Sequence, residues 1–193
     1  MTNPRQFSAC LAPVANRGIP PISFLNELIG WAQTAPDFIF APKLAPVGKP
    51  DPDVYASIKP ELGPWTSFLH RKAVMLEILR VLAGFESSWD WKEGRDITNS
   101  TSGTPETEET GIFQVSCNAT HFDPSLKEYV IQTIGARNCR WFIMAMKADH
   151  RFAIEFAARL LRFTCRHNGP VLRKEINPWL RRDAVAEFRS YLV

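Results

Sequence analysis

From residue 66 to residue 85, apolar side chains at Leu69, Ala73, Leu76, Leu79, Leu82 and Ala83 recur every three or four positions, which places them on one side of an α-helix. Thr66 or Ser67 stands where a side-chain oxygen can cap its first turn. Residues 140–165 are apolar around much of a helical circumference, with Phe152, Ile154, Phe156, Ala157, Leu160 and Leu161, and predict one long helix at the centre of the fold. Shorter helices are predicted over Ile22–Thr34, where Leu25, Leu28, Ile29 and Trp31 share a face, and over residues 126–134. Asn177-Pro178 predicts a last helix as N-cap and first-turn proline, striped by Leu180, Ala184, Phe188, Tyr191 and Leu192. Residues 96–110 are rich in Ser, Thr, Gly and acids, and the apolar piece at 111–115 is too brief for a long helix. A loop or small hairpin is expected there, in a chain that is otherwise mainly α.

Eleven of the fifteen prolines fall within residues 1–64, densest over 36–64, where fixed φ angles and missing N–H donors oppose regular structure. The expectation is a Pro-rich N-terminal arm over 1–64 with one short helix, packed on a domain spanning 65–193. A chain of 193 residues, 45% hydrophobic, is enough for one substantial core and leaves little for a second. The net charge of +3 conceals an asymmetry: residues 86–109 hold seven acids against two bases, and residues 151–193 nine bases against four acids. The bases alternate with acids and apolar helix positions, so they read as a solvated face rather than a nucleic-acid stripe. Cys10, Cys117, Cys139 and Cys165 form no Cys-x-x-Cys pair, which argues against a zinc or redox motif and leaves one or two disulfides open. His121 and His167 have no second ligand at helical spacing, so no metal and no cofactor is expected. Residues 1–18 lack a continuous apolar run, so no secretory signal is expected, and charges interrupt the apolar stretch 141–163, so neither is membrane insertion.

Extending the 66–85 stripe by one turn brings Glu86 to the C-terminal end of a core-facing helix side. Partial desolvation, the negative end of the helix dipole and the nearby acids Asp90 and Glu93 all disfavour its ionised form. A carboxylic acid still protonated near neutral pH can hand a proton to a leaving sugar oxygen, and Trp89 and Trp91 could wall sugar rings.

Glu86-Ser87-Ser88 at the end of a hydrophobic helix, followed by Gly111-Ile112-Phe113-Gln114-Val115, resembles the Glu-Ser and Gly-Leu-Met-Gln-Val elements of goose-type lysozymes and soluble lytic transglycosylases. Arg166-His167-Asn168-Gly169-Pro170 is similar to the Tyr-Asn-Ala-Gly-Pro element of those families, with His167 in place of tyrosine. The resemblance covers roughly residues 66–192 as motif order and helical context. It implies a lysozyme-like helical fold acting on peptidoglycan glycan strands, with Glu86 as general acid, Gln114 as a sugar-binding amide and Asn168 and His167 lining the cleft. Ser87 would orient the acid or touch substrate, or else bond back to a helix carbonyl. Where goose-type lysozymes carry an aspartate after Gln-Val, this chain has Ser116.

Inverting hydrolysis needs a second carboxylate at roughly 6.5–9.5 Å from the acid. Asp96, Glu108 and Glu109 are the candidates, with Glu109 and Asp96 nearest the two motifs. Transglycosylation needs none, and a non-catalytic binding module is the reading from another class. Without a signal, the arrangement is similar to glycoside-hydrolase effectors injected by type VI secretion. A phage endolysin or a conjugation-type wall enzyme fits the same features. An effector implies a cognate immunity protein, expected to place a polar or acidic loop over Glu86, Arg166 and His167.

Overall fold

The computed structural model describes residues 4–42, 53–95, 97, 100–135 and 138–193. Among these the chain is mainly helical and forms no strand. The α-helices are α1 (Ile22–Thr34), α2 (Val54–Ser57), α3 (Lys59–Leu62), α4 (Phe68–Ser87), α5 (Pro124–Ile134), α6 (Cys139–Ala148), α7 (His150–Phe163), α8 (Gly169–Leu172) and α9 (Arg182–Tyr191). None of them is long and apolar enough to cross a membrane.

Helix α4 starts where expected, with Ser67 Oγ accepting from the His70 N–H at 3.1 Å. Its sequence suggests a stripe, yet every residue from 73 to 84 is buried, because α1, α7, α8 and α9 surround it. Two charges inside that stretch satisfy one another. Arg80 Nε and Nη2 donate to the Glu77 carboxylate at 2.7 and 2.8 Å, and both residues are fully buried. Arg80 Nη1 also donates to the Ala12 carbonyl at 2.9 Å, and Glu77 accepts from the Arg181 N–H at 2.9 Å, so the pair ties both ends of the chain to the central helix.

The single helix expected over 140–165 is two helices. The chain leaves helical geometry at Asp149 (φ −107°, ψ 92°), whose carboxylate accepts from the Phe152 N–H at 3.0 Å and caps α7. The break lets α6 and α7 pack on each other, and the place at the centre passes to α4 with α7 beside it. The last helix is also displaced. Asn177-Pro178 opens only a 3₁₀ turn, Asn177–Trp179, and α9 begins at Arg182, so Leu180 precedes the helix.

The N-terminal residues are woven into the same core. Cys10, Val14, Leu25, Leu28 and Ile29 are fully buried in the cluster that holds Leu76, Leu79 and Phe156. Glu187 of α9 accepts from the N–H groups of Ser8 and Cys10, each at 2.7 Å. The proline-dense segment contains more regular structure than expected: α2 is capped by Asp53, which accepts from the Ala56 N–H, and α3 carries a proline in its first turn. Residues 43–52 lie outside the described residues. Cys117 and Cys139 form a disulfide that fastens the turn after Ser116 to the start of α6, while Cys10 and Cys165 are buried and unpaired.

Candidate active site

The last turn of α4 is shaped by an indole. A Cβ at Gly84 would lie 2.4 Å from the Trp89 ring, so only glycine lets that ring cross the helix. Trp89 Nε1 donates to the Arg80 carbonyl at 3.0 Å, and the Trp89 N–H closes the helix on the Ala83 carbonyl. To turn back in this way, Ser88 and Trp89 both adopt left-handed backbone, at φ 55° and 62°, which costs a non-glycine residue about 1 kcal/mol or more each. Trp89 is therefore core, and Trp91 stacks on His150 with ring centroids 3.8 Å apart. Neither lines the groove beside Glu86, contrary to the expectation of sugar-facing walls.

The second wall is the turn at 110–115, with no hairpin. Gly111 (φ 71°) donates to the Glu93 carbonyl at 3.0 Å, and a Cβ there would stand 2.7 Å from the Met146 carbonyl oxygen, so the close approach to α6 requires glycine. Gln114, at φ 46°, donates its Nε2 to the Gly111 carbonyl at 2.9 Å. Ser87 links this turn to α4. Its Oγ lies 3.1 Å from the Ala83 carbonyl and 2.9 Å from the Ile112 carbonyl. The serine is buried and outside the groove, so of the two expected roles it takes the bond back to the helix, with an added clamp on the turn.

Between these walls lies a polar groove of about 660 Å³. Glu86, Glu109, Gln114 and His167 meet in it, four residues singled out by sequence. Glu86 is half-buried, and its carboxyl is pushed up to about 8, first by burial and next by Glu109; Glu175 adds to the rise, and Arg173 and Arg17 oppose it. The acid acting most strongly on Glu86 is thus Glu109 across the groove. Asp90 is exposed and accepts from the Lys92 N–H. Burial lowers the His167 imidazole to about 4, so it is neutral at neutral pH.

Two further candidates, Ser116 and Asn168, are buried next to groove residues. Ser116 is buried, with its Oγ 2.7 Å from Asn118 Oδ1 and 3.5 Å from His167 Nε2, and so supports the histidine. Asn168, expected to line the cleft, is buried and does not line it, with Nδ2 lacking a hydrogen-bond partner among the described residues. Asp96 lies outside the described residues. Glu108 is half-buried and does not line the groove. Among the described residues no group of three His, Cys, Asp or Glu side chains is arranged to hold a metal ion.

Sequence reasoning missed Arg17, Arg173 and Glu175. The last two follow the Arg166-to-Pro170 motif by one turn of chain, a signal that was present, and they pair at 2.7 and 3.1 Å. Arg17 comes from an N-terminal segment outside every motif. Comparison with known proteins adds no relative: no family model fits the chain, and no curated protein and no solved structure matches it.

Proposed function

We propose that this chain is a peptidoglycan glycoside hydrolase of the lysozyme type, a muramidase cutting the β-1,4 bond between N-acetylmuramic acid and N-acetylglucosamine. The observation that carries the reading is the partly buried Glu86 carboxyl, pushed up to about 8 by burial, opening into a polar groove that also holds Glu109, Gln114 and His167. Glu86 donates its proton to the leaving glycosidic oxygen, and the negative charge left on it is offset as Glu109 takes up the proton of the attacking water. Glu109 serves as the second carboxylate: it keeps Glu86 protonated before the reaction and draws a proton from the attacking water during it. With one N–H of its amide donated to Gly111, Gln114 is held in place to offer its carbonyl oxygen to a sugar hydroxyl or N-acetyl N–H. Neutral His167, supported by Ser116, supplies a further polar contact.

Transglycosylation is the second reading, favoured by Ser116 at the position where the hydrolases it resembles carry aspartate. Product analysis separates the two. Digestion of purified sacculi should release muropeptides with reducing muramic ends, whereas anhydro-muramic ends would replace hydrolysis by transglycosylation. No soluble fragment at any pH would end the enzymatic reading and leave a binding module. As a cell-wall-cutting effector delivered by type VI secretion, the enzyme would require an immunity protein whose acidic or polar loop covers Glu86, His167 and the exposed Arg166.

A further inference from the structure

The groove has a cationic end that the chemistry above does not use. Arg17 lies on a tight turn in which the Val14 N–H donates to the Gly18 carbonyl at 3.0 Å and the Arg17 N–H to the Val14 carbonyl at 2.9 Å. That turn is pinned from below: Val14 is fully buried, and the Ala12 carbonyl accepts from Arg80, whose helix carries Glu86. Ala15 takes left-handed backbone (φ 47°) to complete it. So much fixed structure holds Arg17 at the groove while leaving its side chain exposed, and its guanidinium forms no ion pair among the described residues, reaching Glu86 only through the field of its charge. The other cation at this end, Arg173, is already paired with Glu175.

We propose that Arg17 is a carboxylate-binding subsite that selects glycans bearing an acidic peptide substituent over neutral glycans. The inference rests on the glycosidase reading. Glu93 and Glu109 lie along the rest of the groove beside the neutral Glu86 carboxyl, so an evenly anionic polymer is repelled there. A ligand that fits has an uncharged sugar backbone beside the acids and a carboxylate carried on a side branch to reach Arg17. A stem peptide attached to alternate sugars has that form, and a chitin-type oligomer lacks the branch. Arginine suits the task because its planar guanidinium grips a carboxylate through two parallel N–H bonds.

The test measures binding, by calorimetry on full-length Glu86→Gln protein so that ligand is not consumed, with two probes: a tetrasaccharide of the peptidoglycan repeat carrying its stem peptides, and chitotetraose. The peptide-bearing probe should bind about tenfold more tightly, the worth of one charge-assisted contact. Adding Arg17→Gln should bring the two affinities together, Arg17→Lys should restore part of the gap, and raised salt should narrow it. Equal affinities before Arg17 is changed, or a gap that survives Arg17→Gln, would overturn the subsite while leaving the glycosidase reading in place. If neither probe binds, both are overturned.

Discussion

Holding Glu86 protonated at neutral pH has a cost, and the folded state bears it. The unfolded chain ionises this carboxyl near 4.5, whereas the folded chain retains the proton up to about 8, so between these values the native state binds more protons. Its contribution to stability is complete below 4.5 and is lost as pH rises through about 8. Glu86→Gln keeps the shape and abolishes the titration. It is expected to raise Tm over the parent at pH 8 and leave it nearly unchanged at pH 4, read by calorimetry. The same shift at both pH values would contradict the raised carboxyl. Cleavage should decline on the alkaline side as Glu86 loses its proton, with a midpoint near 8 in a pH–rate profile. The position of Glu86 was legible because helical spacing continued to it. The identity of its neighbour was not, since Asp90 and Glu93 are closer in sequence than Glu109 and only the chain reversal at Ser88 and Trp89 decides which acid faces it.

At the scale of the helix, α4 shows how a correct element can still be read with the wrong environment. Its apolar spacing predicted the span, with Thr66 or Ser67 as the cap, but the one-sided stripe gave no sign that Glu77 and Arg80, three residues apart, would be buried. In the fold they are the buried bond between α4 and segments from both ends of the chain. Arg80→Met strands the Glu77 carboxylate in the core and is expected to cost about 3–5 kcal/mol in urea unfolding. A loss under about 1 kcal/mol would mean that water reaches the pair. Replacing both by leucine should recover part of the loss, because the orphaned charge is gone while the carbonyls of Ala12 and Trp179 still lack their donor. The break between α6 and α7 was hidden for a related reason. Apolar residues continue on both sides of Asp149, and its capping bond to Phe152 uses a residue that also reads as an ordinary exposed acid.

Across the whole molecule the groove is assembled from four separated segments, and legibility follows which of them carries a motif. Glu86, Gln114 and His167 stand in recognisable short sequences and line one groove, whereas Arg17 arrives from a proline-rich region expected to form an N-terminal arm. The Cys117–Cys139 disulfide holds one side of this assembly, with Ser116 and the His167 contact directly before it. Closing a loop of 22 residues restricts the unfolded chain enough to contribute about 3 kcal/mol. Cys117→Ser with Cys139→Ser should therefore lower the unfolding free energy by about that amount, and a change below about 1 kcal/mol would show the bridge to be dispensable. The whole reading turns on a proton leaving one carboxyl. The decisive experiment compares the initial rate of muropeptide release from purified sacculi by the parent and by Glu86→Gln near pH 6, with folding of both verified by circular dichroism. The expected result is a loss of at least about a hundredfold with the fold intact. A folded Glu86→Gln protein that cuts as fast as its parent would contradict it.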